Sequence, residues 1–101
     1  MQARTTQRIR VLVASDIRFY SDGLGQLLAG YPGIEVVATA AGAAQAWTLA
    51  SDYHPDVVLV DVGMDQALTL LHDLDNITPP CRKVAVAIRD DEAAILQWAE
   101  A

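Results

Sequence analysis

Four short apolar runs punctuate the chain: Ile9-Arg10-Val11-Leu12-Val13-Ala14, Ile34-Glu35-Val36-Val37-Ala38-Thr39, Asp56-Val57-Val58-Leu59-Val60-Asp61 and Lys83-Val84-Ala85-Val86-Ala87-Ile88. Each is brief, and most are rich in β-branched residues, which predicts strands. The third run is apolar without a break, the pattern of a strand covered on both faces in a parallel sheet. The mixed second run suits a strand nearer the sheet edge. Between the runs the apolar spacing becomes helical. Tyr20, Leu24, Leu27 and Leu28 mark one helix. Gly42 to Tyr53 makes a second, with Ala43, Ala46, Trp47, Ala50 and Tyr53 on its stripe. Asp65 to Leu74 makes a third, with Leu68, Leu71 and Leu74 inward and Asp65 suited to its first turn by the helix dipole. A last helix opens at Asp90-Asp91-Glu92 and carries Ala94, Ile95, Trp98 and Ala99 on its apolar face. Gly30-Tyr31-Pro32-Gly33 and His54-Pro55 are the helix stops, and 76–82 is a turn-rich loop. The order βαβαβαβα with short connections predicts an α/β doubly wound parallel sheet with right-handed crossovers.

Composition narrows the classes. The chain has 101 residues, enough for one domain, and 52% hydrophobic residues fill one core. Mean hydropathy is +0.22, yet no apolar run approaches the roughly 20 residues of a membrane span. Residues 1–8 have no apolar signal-peptide segment and read as a flexible lead-in to a domain at 9–101. Net charge is −6, which argues against nucleic-acid binding by this segment, since that takes a basic face. The single Cys81 excludes an internal disulfide and fits the cytoplasm. Trp47 and Trp98 are expected in the core, and His54 and His72 at the surface or at helix ends.

Two carboxylates, Asp16 and Asp61, follow or end predicted strands, where open parallel sheets bind ligands. If those strands are neighbours, the two acids meet in one crevice and can hold Mg²⁺, which takes oxygen ligands. A carboxylate there can also accept a phosphoryl group. The plainer roles are a turn cap for Asp61 and a helix N-cap for Asp16; structural and chemical roles are compatible.

From Ile9 to Ala101 the sequence resembles the receiver domains of bacterial response regulators, most of all the NarL/LuxR type. The resemblance is carried by Ile9-Arg-Val-Leu-Val-Ala-Ser-Asp16, Gly23-Leu24, Leu27-Leu28, Ile34-Glu-Val-Val37, Ala46, Ala50, Pro55-Asp-Val-Val-Leu-Val-Asp61, Met64, Lys83-Val84 and Asp90-Asp91-Glu92. It implies a flavodoxin-like (CheY-like) fold with the four strands in the order 2-1-3-4. It also implies that Asp61 is the phosphoacceptor, that Asp16 belongs to the acidic pair binding Mg²⁺, and that the Gly63 backbone carbonyl is a third ligand. A histidine kinase would be the donor and a transcription-regulating output the target. The alternative is a pseudo-receiver that acts as a dimerisation or interaction module without phosphorylation.

The departures from the family pattern are specific. Ser15 stands where the family has the first acid of its pair. Met64 is followed by Asp65 rather than by Pro-Gly. The position of the family's hydroxyl residue falls on Ile88, after Ala87, and the position of its fifth-strand Lys falls beyond residue 101. The domain is expected to stop before that fifth strand, leaving the fourth strand and its helix to self-associate. Arg89, just after the fourth strand, is a candidate for the pocket rim. The same sheet also hosts enzymes, but the Asp-x-Asp of haloacid-dehalogenase phosphatases, the flavodoxin phosphate loop and a dinucleotide fingerprint are missing; Gly23-Leu24-Gly25 falls within a helix.

Overall fold

The structure, a computed structural model, describes residues 8–86. Strand β1 (Ile9–Ala14) leads to helix α1 (Arg18–Ala29), β2 (Ile34–Ala40), α2 (Ala43–Tyr53), β3 (Val57–Asp61), α3 (Ala67–Leu74) and β4 (Arg82–Val86). The strands form one parallel sheet in the order β2-β1-β3-β4, the order and fold expected. The acidic helix opening at Asp90, its Trp98, and the positions Ala87, Ile88 and Arg89 lie outside the described residues.

Strand alternation divides the core. Leu12, Ala14, Ala40, Val58 and Val60 face one side and pack with Ala46 and Ala50 of α2 and Ala67, Leu70 and Leu74 of α3. Val11 and Val13 are buried on the other side, where a Cβ built on Gly25 of α1 would meet the Cγ2 of Thr39, the neighbour of Val13, at 3.9 Å. One extra residue in β2 shifts its register between Val11 and Leu12, which keeps Ala38 and Ala40 in step with Leu12 and Ala14. The near end of β3 is tied to β1: the Arg10 N–H donates to the Asp56 carboxylate at 2.9 Å, and its guanidinium donates to the His54 carbonyl at 2.9 Å. His54 ends α2 in a left-handed conformation with φ 51°. An ion pair from Lys83 to Asp75 ties β4 to the end of α3.

The helices keep part of the expected faces, with Ala46, Ala50 and Leu74 buried and Leu71 packed against the core, while other positions differ. In α1 the buried residue is Ser21, and Leu27 is 62% exposed. In α2, Ala46 and Ala50 are buried while Trp47 and Tyr53 are partly exposed, at 37% and 44%. The α3 helix begins at Ala67, so Asp65 precedes it, and its buried residues are Ala67, Leu70 and Leu74; Leu68 is 61% exposed. In α1 and α2 the cause is close approach: small side chains let a helix axis lie near the sheet, and large residues beside them are turned to the rim. Ile77, in the loop after α3, is also buried in the core, a position with no periodic neighbours to announce it.

Gly23 is exposed in the middle of α1, and a Cβ built there meets nothing within 4 Å. Gly23→Ala is therefore expected to stabilise the fold by about 1 kcal/mol, because alanine has the higher helix propensity and loses less backbone entropy on folding. Urea unfolding checks this; a loss of stability would mean that the α1 surface is occupied by something else.

Candidate functional site

The site is built by register. Val11 pairs with Val57 and Val13 with Leu59, so two residues further along each strand path Ser15 stands beside Asp61. Both lie on the α1 side of the sheet, and both are only 1% exposed. The Ser15 hydroxyl donates to Asp61 Oδ2 at 2.8 Å. The Gly63 N–H donates to Asp61 Oδ1 at 2.9 Å, and the Met64 N–H to the Asp61 carbonyl at 3.0 Å. Asp61 thus does close the turn after β3, as its plainer role required, and its side chain is aimed from two directions at once. Hydrogen bonds to a charged acceptor are the stronger kind.

Ser15 is itself held in place. Its N–H donates to the Ala40 carbonyl at 3.1 Å, and its oxygen accepts the Ile17 N–H at 3.2 Å. That contact begins the bend into α1. The residue before the helix is Ile17, with no side-chain cap, so Asp16 is not the helix cap. The exposed Asp16 instead reaches across the top of the sheet, where its Oδ2 accepts the Asp65 N–H at 3.5 Å from the loop after β3. Asp61 is buried at the carboxyl end of β3, and Asp16, exposed, follows the end of β1 next to Ser15. The signal for Ser15 was strand parity: one residue earlier than Asp16, it shares the face of Asp61.

The donor set is chemically suited to Mg²⁺, which favours carboxylate and carbonyl oxygens. Asp61, Asp16 and the Gly63 carbonyl, at the start of the same loop, are donors of that kind. Among the described residues no group of three His, Cys, Asp or Glu side chains is placed to hold a metal.

Other features are quieter. Cys81 lines an open cavity of about 540 Å³ with Ile9, Asp56, Val57, Pro80 and Arg82 at the opposite end of the sheet. Burial pushes its thiol up from the ordinary value, which suppresses the reactive thiolate and fits an inert loop thiol. Among the described residues β4 is an outer strand, with Val84 44% exposed; the helix expected to self-associate with it lies outside them. No helix among them is long and apolar enough to cross a membrane.

No family model matches the chain. It is 29% identical over 90 residues to the transcriptional regulatory protein DegU of Brevibacillus brevis, a match covering 87% of this chain and 38% of that protein. It is 39% identical over 79 residues to a protein-glutamate methylesterase/protein-glutamine glutaminase of Anaeromyxobacter dehalogenans, covering 76% of this chain and 22% of that one. The chain thus spans well under half the length of these relatives. Among solved structures, the REC domain of AraT, a response regulator from Geobacillus stearothermophilus, superposes with a TM-score of 0.75 and 29% identity, over 90% of this chain and 72% of that one. The signal receiver domain of the putative response regulator NarL from Mycobacterium tuberculosis gives 0.72 and 24%, over 93% and 77%. CheY of Borrelia burgdorferi, in a CheX–CheY–BeF₃–Mg complex, gives 0.78 and 20%, over 97% and 75%. The last two show likeness of fold. With the strand order, the buried aspartate at the end of β3 and these similarities in hand, the chain is a response-regulator receiver domain.

Proposed function

We propose that this receiver accepts a phosphoryl group on Asp61 and passes the change to a transcription-regulating output carried elsewhere. The observation that supports this reading is the aim of the Asp61 carboxylate, buried at the end of β3 between the Ser15 hydroxyl and the Gly63 amide. In the transfer, one Asp61 oxygen attacks phosphorus while the P–N bond of a phosphohistidine on a histidine kinase breaks. The leaving nitrogen then takes a proton, and an acyl phosphate remains. The chain acts here as a phosphoryl acceptor, and methylesterase activity belongs to the longer relatives as whole proteins. Asp16, Asp61 and the Gly63 carbonyl would hold Mg²⁺, which when bound neutralises charge on the phosphoryl oxygens. CheY crystallised with BeF₃ and Mg²⁺, a precedent for this pocket type. The cytoplasm is the compartment such a donor requires.

The test uses the full chain with Mg²⁺ and acetyl phosphate. Intact mass should rise by one phosphoryl group, the adduct should be labile to hydroxylamine, and Asp61→Asn should abolish it. An unchanged mass with donor in excess would overturn the reading. One observation favours a second reading, a pseudo-receiver that binds partners without phosphorylation: the donor to Asp61 Oδ2 is a neutral serine, where the family has an acid. That reading expects no adduct, and partner binding unaltered by Asp61→Asn.

A further inference from the structure

We propose that Ser15 sets the cation affinity of the crevice low, by holding Asp61 with a neutral hydroxyl at the position where a third carboxylate would draw a divalent cation. The proposal rests on the reading of Asp16 and Asp61 as the crevice's acidic pair. Strand register puts Ser15 beside Asp61, and the side chain is as deeply buried as the carboxylate it serves. A serine hydroxyl has one proton, and here it goes to Asp61 Oδ2 at 2.8 Å. The oxygen of Ser15 accepts the Ile17 N–H at 3.2 Å. Both halves of the hydroxyl are therefore used inside the fold, and the Asp61 charge is partly compensated without any ion.

Affinity for a hard divalent cation is tuned by the number of charged ligands. On that reading, Asp16 and Asp61 are the two carboxylates available to a cation. Ser15→Asp adds a third within a hydrogen bond's length of the second, at a position that is only 1% exposed. Two buried like charges at that distance repel strongly, and a divalent cation relieves the repulsion. The same substitution should make the fold itself cation-dependent, since an ion that binds only the native state stabilises it.

The experiment titrates the full chain with Mg²⁺ and with Mn²⁺, read by calorimetry and by the amide resonances of residues 14–16 and 61–63. Asp61→Asn serves as the control for the site. Ser15→Asp should bind at least about tenfold more tightly than the wild type, and its melting temperature should rise with Mg²⁺ far more than the wild type's does. Ser15→Thr, which keeps the hydroxyl, and Ser15→Ala, which adds no charge, should both stay weak. Wild-type binding as tight as that of Ser15→Asp would overturn the proposal, as would tightening by Ser15→Ala to the same degree. If Ser15→Asp folds only with cation present, that supports it. If Ser15→Asp folds under neither condition, the wild-type titration decides: saturation below the millimolar range overturns the proposal, and weak binding abolished by Asp61→Asn supports it. Cation binding and phosphoryl incorporation are separate readouts, so either reading can fail while the other stands.

Discussion

Leu70→Ala is expected to cost about 2–5 kcal/mol of stability, and Leu68→Ala, two residues earlier, less than about 0.5 kcal/mol. Leu70 is 2% exposed, in the cluster that joins α3 to Val58, Val60, Met64, Leu74 and Ile77. Removing its side chain leaves a cavity beneath the sheet that rigid neighbours cannot fill. Leu68 points into solvent and loses little. For a domain of this size the Leu70 loss lowers the melting temperature by roughly 4–8 °C per kcal/mol. Chemical denaturation of both variants measures the difference. The reverse ranking would mean that α3 is rotated by half a turn, with Leu68 inward and Leu70 outward.

Ser15→Ala is expected to cost about 1–3 kcal/mol. The change leaves Asp61 Oδ2 buried and removes the hydroxyl that donates to it. The Gly63 amide still serves the other oxygen, so the carboxylate keeps its place in the turn while losing one of its donors. A double-mutant cycle with Asp61→Asn isolates the pair: the coupling should be clear of zero, because the two side chains are in direct contact. A cost below about 0.5 kcal/mol for Ser15→Ala, on the scale of surface changes, would show that the hydrogen bond is replaced when the hydroxyl is removed.

The strands were legible because β-branched runs between turn formers have few other places to go. The bounds of β1 match the apolar run Ile9–Ala14, and the bounds of β3 differ from its run by one residue. Asp61 stood out because a carboxylate closing an apolar strand must sit at its end. The helix faces were read less well, for a physical reason. Hydrophobic spacing placed Ala46, Ala50 and Leu74 inward, as they are, but it also weighted the large residues Leu27, Trp47 and Leu68, which are exposed, and gave no signal for the buried Ser21 and Ala67.

The sequence by itself determined the alternation of strands and helices, the parallel sheet and the place of Asp61 at the end of a central strand. Those follow from local polarity and chain connectivity, which act over a few residues. The partner of Asp61 was decided by tertiary structure. Residues 15 and 61 are 46 positions apart, and only the pairing register of β1 with β3 shows that Ser15, rather than its acidic neighbour Asp16, shares the carboxylate's face. One residue of register reverses which side chain points into the crevice, and with it whether the group beside Asp61 brings a charge or a proton.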